Sequence, residues 1–268
     1  MKRLWKNLIL PIFKHENVKS IVEIGSEKGI NTRNILEYCM ENDGKLTSID
    51  PDPNFDATAL EKEYEDSYKI LKTLSLESLP SLDDYDCILV DGDHNWYTVY
   101  NELQCINKNF SQDNFPLAFL HDTSWPYGRR DSYYNPEDIP KEYLNEYIRV
   151  IPEETDKMDV NSLKVPPYKA IEENTPKNGV LTAIEDFIND CSLDLQLHYF
   201  PVFYGTCILH KKDDKLYEYV EDIIHDPEIL AYVDEFYIRK ILDQEKLIED
   251  LKNEIYEKEI EINNLKQC

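Results

Sequence analysis

Five short apolar runs, each followed by a polar or helical stretch, constrain the fold of this chain more than any other feature. They are "SIVEIG" (20–25), "LTSID" (46–50), "YKILKTL" (68–74), "CILVDGD" (87–93) and "LAFLHD" (117–122). Runs of this length, bounded by Gly, Pro and Asp, read as buried strands. Segments 31–41, 54–66 and 95–109 carry helical patterns between them. Regular strand–helix alternation predicts an α/β fold, a Rossmann-like, mostly parallel sheet covered on both faces. Further on, "NGVLTAIEDFINDC" reads as a helix, and "LQLHYFPVF" and "YGTCILHK" as two strands close enough in sequence to pair antiparallel.

Two regions break the alternation. Segment 123–178 is rich in Pro, Tyr and charge without periodicity, which suits a lid over a ligand site. Its Trp and Tyr content argues against a disordered insertion. We divide the chain into a main domain, 1–212, and a helical tail, 213–268. In the tail Ile241, Ile248, Ile255 and Ile262 recur every seven residues, with Gln244, Leu251, Lys258 and Leu265 at the intervening d-type positions. Either this is a lone amphipathic helix packed on its own domain, or it is a parallel coiled coil from about 241 that joins a homodimer. Isoleucine at all four a positions favours the coiled coil.

Bulk properties exclude several partners. A formal net charge of −25 opposes non-specific nucleic-acid binding and anionic membrane surfaces. No apolar run reaches the length of a spanning helix. Residues 1–14 hold a basic pair before "LWKNLILPIF", but Lys6 and Pro11 interrupt the apolar stretch, so an amphipathic helix is expected in place of a signal peptide. Six cysteines without paired spacing suggest reduced thiols and a cytoplasmic location.

In an open parallel sheet, ligands bind beyond the carboxyl ends of the strands. The first strand ends in Glu23, Gly25 and then Gly29, before a helix opening near Asn31. The glycines allow a sharp turn, and the helix N-terminus can receive a carboxylate. Glu23 and Glu27 would repel a pyrophosphate, so a dinucleotide fits poorly. A ligand with an ammonium, a sulfonium and one carboxylate fits better, and S-adenosylmethionine is such a ligand. Asp50, ending the second strand, is placed to accept ribose hydroxyls.

"IVEIGSEKG", "LTSIDPD", "YDCILVDGDH" and "LAFLHD" together resemble the motifs of class I S-adenosylmethionine-dependent methyltransferases. The DGxH form at 91–94 is similar to that of metal-dependent sugar O-methyltransferases of the macrolide type. The resemblance covers about 20–122, and loosely the closing strands to about 210. It implies a seven-stranded sheet with the last strand antiparallel, and cofactor contacts at Glu23, Gly25, Asp50 and Ser75. Asp91 and Asp122 would then end side by side near the cofactor's methyl. Two carboxylates suit Mg2+ or another hard divalent cation, which would lower the pKa of an acceptor hydroxyl. In the resembling enzymes the residue at Asp91 is a metal ligand and that at His94 a general base. Alternatively, His94 caps the next helix or fixes a ligand. His121 is a less natural partner for magnesium, so we expect it behind the ligands. Arg129 and Arg130 either bind an acceptor's anionic group or pair with local acids. Trp125, Tyr127, Tyr133 and Tyr134 either stack on a sugar ring or pack the lid.

The expectation is thus a magnesium-assisted O-methyltransferase acting on a small-molecule acceptor, a sugar or glycan precursor. Its rivals are a metal-dependent hydroxylase or hydrolase on the same fold, and a coiled-coil assembly protein with an inactive enzyme fold.

Overall fold

The computed structural model describes residues 1–150 and 166–266; residues 151–165 of the expected lid and Cys268 lie outside the described residues. The chain divides into two compact units, Met1–Glu221 and Asp222–Cys268.

The first unit opens with a π-helical turn, Trp5–Ile9, running into α1 (Leu10–Glu16). Alternation then follows as expected: β1 (Ser20–Ile24), α2 (Ile30–Asn42), β2 (Lys45–Ile49), α3 (Ala57–Tyr64), β3 (Tyr68–Leu71), a short α4 (Ser75–Ser78), β4 (Cys87–Val90), α5 (Trp96–Asn109) and β5 (Leu117–His121). These strands are parallel. After β5 come β6 (Ser132–Tyr133), β7 (Tyr147–Arg149), β8 (Tyr168–Ala170), α6 (Val180–Asp190), β9 (Leu195–Phe200), β10 (Thr206–Lys211) and α7 (Asp214–Ile224). The main sheet has seven strands in the order β3-β2-β1-β4-β5-β10-β9, with β10 antiparallel to both its neighbours.

Period-two alternation assigns the two faces of this sheet. Val22, Ile24, Ile88, Val90, Ala118 and Leu120 share one core with Val99, Leu103 and Ile106 of α5 and Ala183, Ile184 and Phe187 of α6. The apolar residues of both helices recur at three- and four-residue steps, giving each one stripe to bury. On strand β5, Phe119 points to the other face, where it meets Phe13 at 5.9 Å between ring centroids. All four residues of β4 are buried, as a central strand covered on both sides requires.

The region read as an aperiodic lid contains a three-stranded antiparallel sheet, β6-β8-β7. Its strands are only two or three residues long, too short to show a period. Buried Asp131 ties it down: the carboxylate accepts from the backbone N–H of Trp96 and of Gly179, both at 2.7 Å, from the Tyr133 hydroxyl at 2.9 Å and from Asn145 Nδ2 at 2.8 Å.

The second unit is one helix after its first residues, α8 (Pro227–Lys266). Ile241, Ile248, Ile255 and Ile262 are each about half exposed on it, as is Leu251; the side chain of Leu265 lies outside the described residues. No described helix is long and apolar enough to cross a membrane. The five described cysteines are free thiols.

Candidate active site

Asp91 follows β4 and Asp122 follows the adjacent β5, whose register, Val90 opposite Leu120, sets Asp91 level with His121 and one residue short of Asp122. Between them lies His121, with Nδ1 3.0 Å from Asp91 Oδ1 and 3.2 Å from Asp122 Oδ2. His94 reaches the same group, its Nδ1 3.0 Å from Asp122 Oδ2. On the other side of its ring, His94 Nε2 is 3.3 Å from the Tyr134 hydroxyl, and Tyr127 stacks on the imidazole with centroids 4.7 Å apart. The amino group of Met1 donates to Asp91 Oδ2 at 2.8 Å. Helix α5 is capped by Asn95, whose side chain accepts from Thr98 N at 2.8 Å. The capping role considered for His94 therefore belongs to its neighbour.

The charges in this cluster act on each other strongly because water is largely excluded. Burial alone would raise the Asp122 carboxyl, but His121 and His94 more than offset it and hold it well below the usual carboxylate range. Burial opposes a charge on His121, yet Asp91 and Asp122 push its pKa up to about 9. His94 is likewise raised, with burial outweighed by Asp122, Asp91 and Asp93. Asp122 itself sits at φ +62°, in the left-handed region that non-glycine residues adopt sparingly. Such backbone is characteristic of sites where a side chain must be aimed.

These residues line a cleft of about 370 Å³ that also includes Gly25, Ser26, Ile30 and Asn31 at the opening of α2. Gly25 has φ +85°, and a Cβ there would meet the Asp91 carbonyl oxygen at 2.4 Å. Only glycine lets the β1 and β4 loops cross this closely. Helix α2 begins after Gly29, with no side chain capping its first N–H groups, so they are available to an anionic group at the cleft.

Other expected residues lie elsewhere. Glu23 is fully buried beneath the loop: its carboxylate accepts from Thr32 Oγ1 at 2.7 Å, Ser48 Oγ at 2.9 Å and Asn31 Nδ2 at 3.0 Å, and burial raises its pKa to about 7. Asp50 Oδ2 accepts from Ser26 N, Ser26 Oγ and Glu27 N, and Oδ1 from Asp52 N, all at 2.9–3.0 Å. Ser75 opens α4 and is buried outside the cleft wall. Arg129 makes a two-pronged ion pair with Glu185 of α6, and Arg130 pairs with Glu173 at 3.1 Å. Trp125 is 77% exposed and away from the cleft. Among the expected aromatics, Tyr127 and Tyr134 do line it. Sequence reading missed Phe203 and Tyr204, which complete the aromatic wall from the β9–β10 turn.

Residues 22–115 match the family model described as a methyltransferase domain. No curated protein matches the chain. Solved structures similar to it include a Podospora anserina methyltransferase bound to S-adenosylhomocysteine (18% identity, 75% of this chain and 76% of that one, TM-score 0.47). Others are a putative caffeoyl-CoA O-methyltransferase from Staphylococcus aureus (15%, 76% and 81%, TM-score 0.45) and a putative O-methyltransferase from Klebsiella pneumoniae (14%, 76% and 78%, TM-score 0.43). The matched segment runs from β1 to the approach of β5, the strands whose ends form the loop side of the cleft. Laid on the sheet order above, that methyltransferase-domain match takes in β1 to β4 and α5 of the Rossmann-like sheet.

Proposed function

We propose that the protein moves the methyl group of S-adenosylmethionine to a hydroxyl oxygen of a small acceptor, with His94 as the base. One observation carries this reading: His94 has Asp122 Oδ2 at 3.0 Å on Nδ1 and a hydroxyl, that of Tyr134, at 3.3 Å on Nε2. A carboxylate opposite Nδ1 favours the tautomer with its proton there, leaving the Nε2 lone pair for an acceptor's O–H. The Tyr134 hydroxyl marks where such a group can sit.

The chain's own features fit the donor. Uncapped N–H groups at the start of α2 suit its carboxylate, and the acidic cleft suits its ammonium and sulfonium. When bound, S-adenosylmethionine supplies a methyl group on a positively charged sulfur. Asp91, Asp122 and His121 offer ligand atoms that all lie within 4.8 Å of one another, close enough to share a divalent cation. Such a cation would make the acceptor hydroxyl more acidic. In the transfer itself the oxygen gains the methyl, its proton goes to His94, and S-adenosylhomocysteine leaves. Tyr127, Tyr134, Phe203 and Tyr204 line the cleft with aromatic side chains, which supports a ring-shaped acceptor such as a sugar or glycan precursor.

Formation of S-adenosylhomocysteine from S-adenosylmethionine, dependent on a hydroxylated acceptor, tests this. Binding of a nicotinamide dinucleotide but not S-adenosylmethionine in calorimetry overturns it. The half-exposed isoleucine seam of α8 supports a parallel dimer joined through the tail. Light scattering should give a dimer for the full chain and a monomer for a chain ending at Arg239; equal masses for the two sink that part.

A further inference from the structure

His121 moves no proton in the methyl transfer as described, yet it sits at the centre of the charged cluster. Its side chain is 10% exposed. Its Nδ1 lies within hydrogen-bond length of two carboxylate oxygens, at 3.0 and 3.2 Å, but it has no hydrogen-bond partner. The distances are right and the directions are not. An imidazole held only to neutralise an acid would aim its N–H at one oxygen. A nitrogen that approaches two carboxylates and is aimed at neither is arranged as one of several donors converging on a common point.

Two carboxylates alone would suit magnesium, which takes oxygen ligands in octahedral geometry and gives up its water reluctantly. Adding an imidazole changes the preference. Nitrogen donors suit first-row transition ions, whose affinities for mixed N/O sites exceed that of magnesium. We propose that Asp91, His121 and Asp122 bind a transition-metal ion of the Mn2+, Fe2+ or Zn2+ class in preference to Mg2+, with His121 Nδ1, whose proton is released to solvent as the ion binds, as the selecting ligand. This rests on the reading in which the cluster holds a divalent cation, and replaces its expected hard ion with a borderline one. His94 stays outside the ligand set, since its Nε2 faces Tyr134 and its Nδ1 shares the Asp122 oxygen already in contact with His121.

The test uses the full chain, stripped of metal and titrated with Mn2+ and with Mg2+. Pulsed electron paramagnetic resonance of the bound Mn2+ should show coupling to one imidazole nitrogen. That coupling should vanish in His121→Asp and persist in His94→Gln. His121→Asp should also reduce the Mn2+ over Mg2+ affinity ratio by roughly tenfold or more. His121→Asn, checked for an unchanged melting temperature, serves if the aspartate variant folds poorly. Bound Mn2+ without nitrogen coupling in the wild type overturns the proposal and leaves an all-oxygen cation site. Coupling that survives His121→Asn also overturns it, by moving the nitrogen to another residue. If neither ion binds, the cation reading falls with it, while His94-dependent methyl transfer still stands on its own assay.

Discussion

The acids ending β1 and β2 and those ending β4 and β5 look alike in sequence, yet the fold uses them in opposite ways. Glu23 and Asp50 spend their oxygens on donors of their own chain: Thr32, Ser48 and Asn31 for one, and the Ser26–Glu27 backbone for the other. Asp91 and Asp122 face each other, two imidazoles and the cleft. The first pair fixes the shape of the loop between β1 and α2. The second pair concentrates charge at the cleft. An acid at a strand end is therefore not functional by position alone; what matters is whether nearby donors have already used its lone pairs.

Substitutions on the two sides should separate accordingly. The largest effect is expected on the reactive side. His94→Gln should slow methyl transfer by about two to four orders of magnitude, with S-adenosylmethionine affinity by calorimetry nearly unchanged. A loss below tenfold would give the proton to another group and blur the contrast.

The next effect probes an acid that belongs to neither pattern. Glu102 of α5 is fully buried, and neither of its oxygens has a hydrogen-bond partner. Burial raises its pKa to about 8, only partly offset by the nearby Ser75 hydroxyl. In the unfolded chain the group ionises near its ordinary value of 4.5. Its contribution is therefore complete below pH 4.5 and is lost as pH rises through about 8. Glu102→Gln should remove this pH dependence, and above pH 8 the variant should be the more stable by a few kcal/mol, on the order of 5 at most. Denaturant melts across pH 5–9 check this; parallel curves for both proteins would mean that water or a ligand satisfies the acid.

A smaller effect is expected from Asp50→Asn. The amide keeps an acceptor but loses the charge that several N–H groups share, costing roughly 1–3 kcal/mol of stability. Cofactor affinity should weaken as the loop loosens, with turnover at saturating cofactor close to wild type. A selective loss of turnover would place Asp50 with the reactive acids. Smallest of all, Tyr134→Phe removes one long hydrogen bond to His94. It should change acceptor KM by a factor of a few, and steady-state kinetics would show it.

The main sheet was legible because its strands are buried runs bounded by breakers, and α5 and α6 carry clear apolar stripes. The antiparallel β9–β10 pair followed from their closeness in sequence. In the lid, by contrast, β6 pairs with β8 from far along the chain, Ser132 opposite Lys169, and strands this short carry no periodic signal. The cluster was partly legible: strand neighbourhood predicts that Asp91 and Asp122 meet. The contact of His94 with Tyr134, and the place of His121 between the acids, depend on side-chain directions at a positive-φ residue that no local pattern encodes. Likewise, nothing in "LTSIDPD" says that the loop after β1 turns its N–H groups onto Asp50.

Asp131 has a consequence for anyone wishing to redirect this enzyme to another acceptor. Its carboxylate grips the first turn of α5, next to His94, and the entry to α6 at Gly179, while the backbone N–H of Ser132 donates to the His94 carbonyl at 2.9 Å. The segment that holds Tyr127, Asp131 and Tyr134 is not a detachable cassette. A graft that exchanges 123–178 between relatives would carry away the anchor of His94 along with these cleft-lining rings. Transplants should keep Asp131 together with Asn178 and Gly179, and vary Tyr127, Tyr134 and Tyr204 in place.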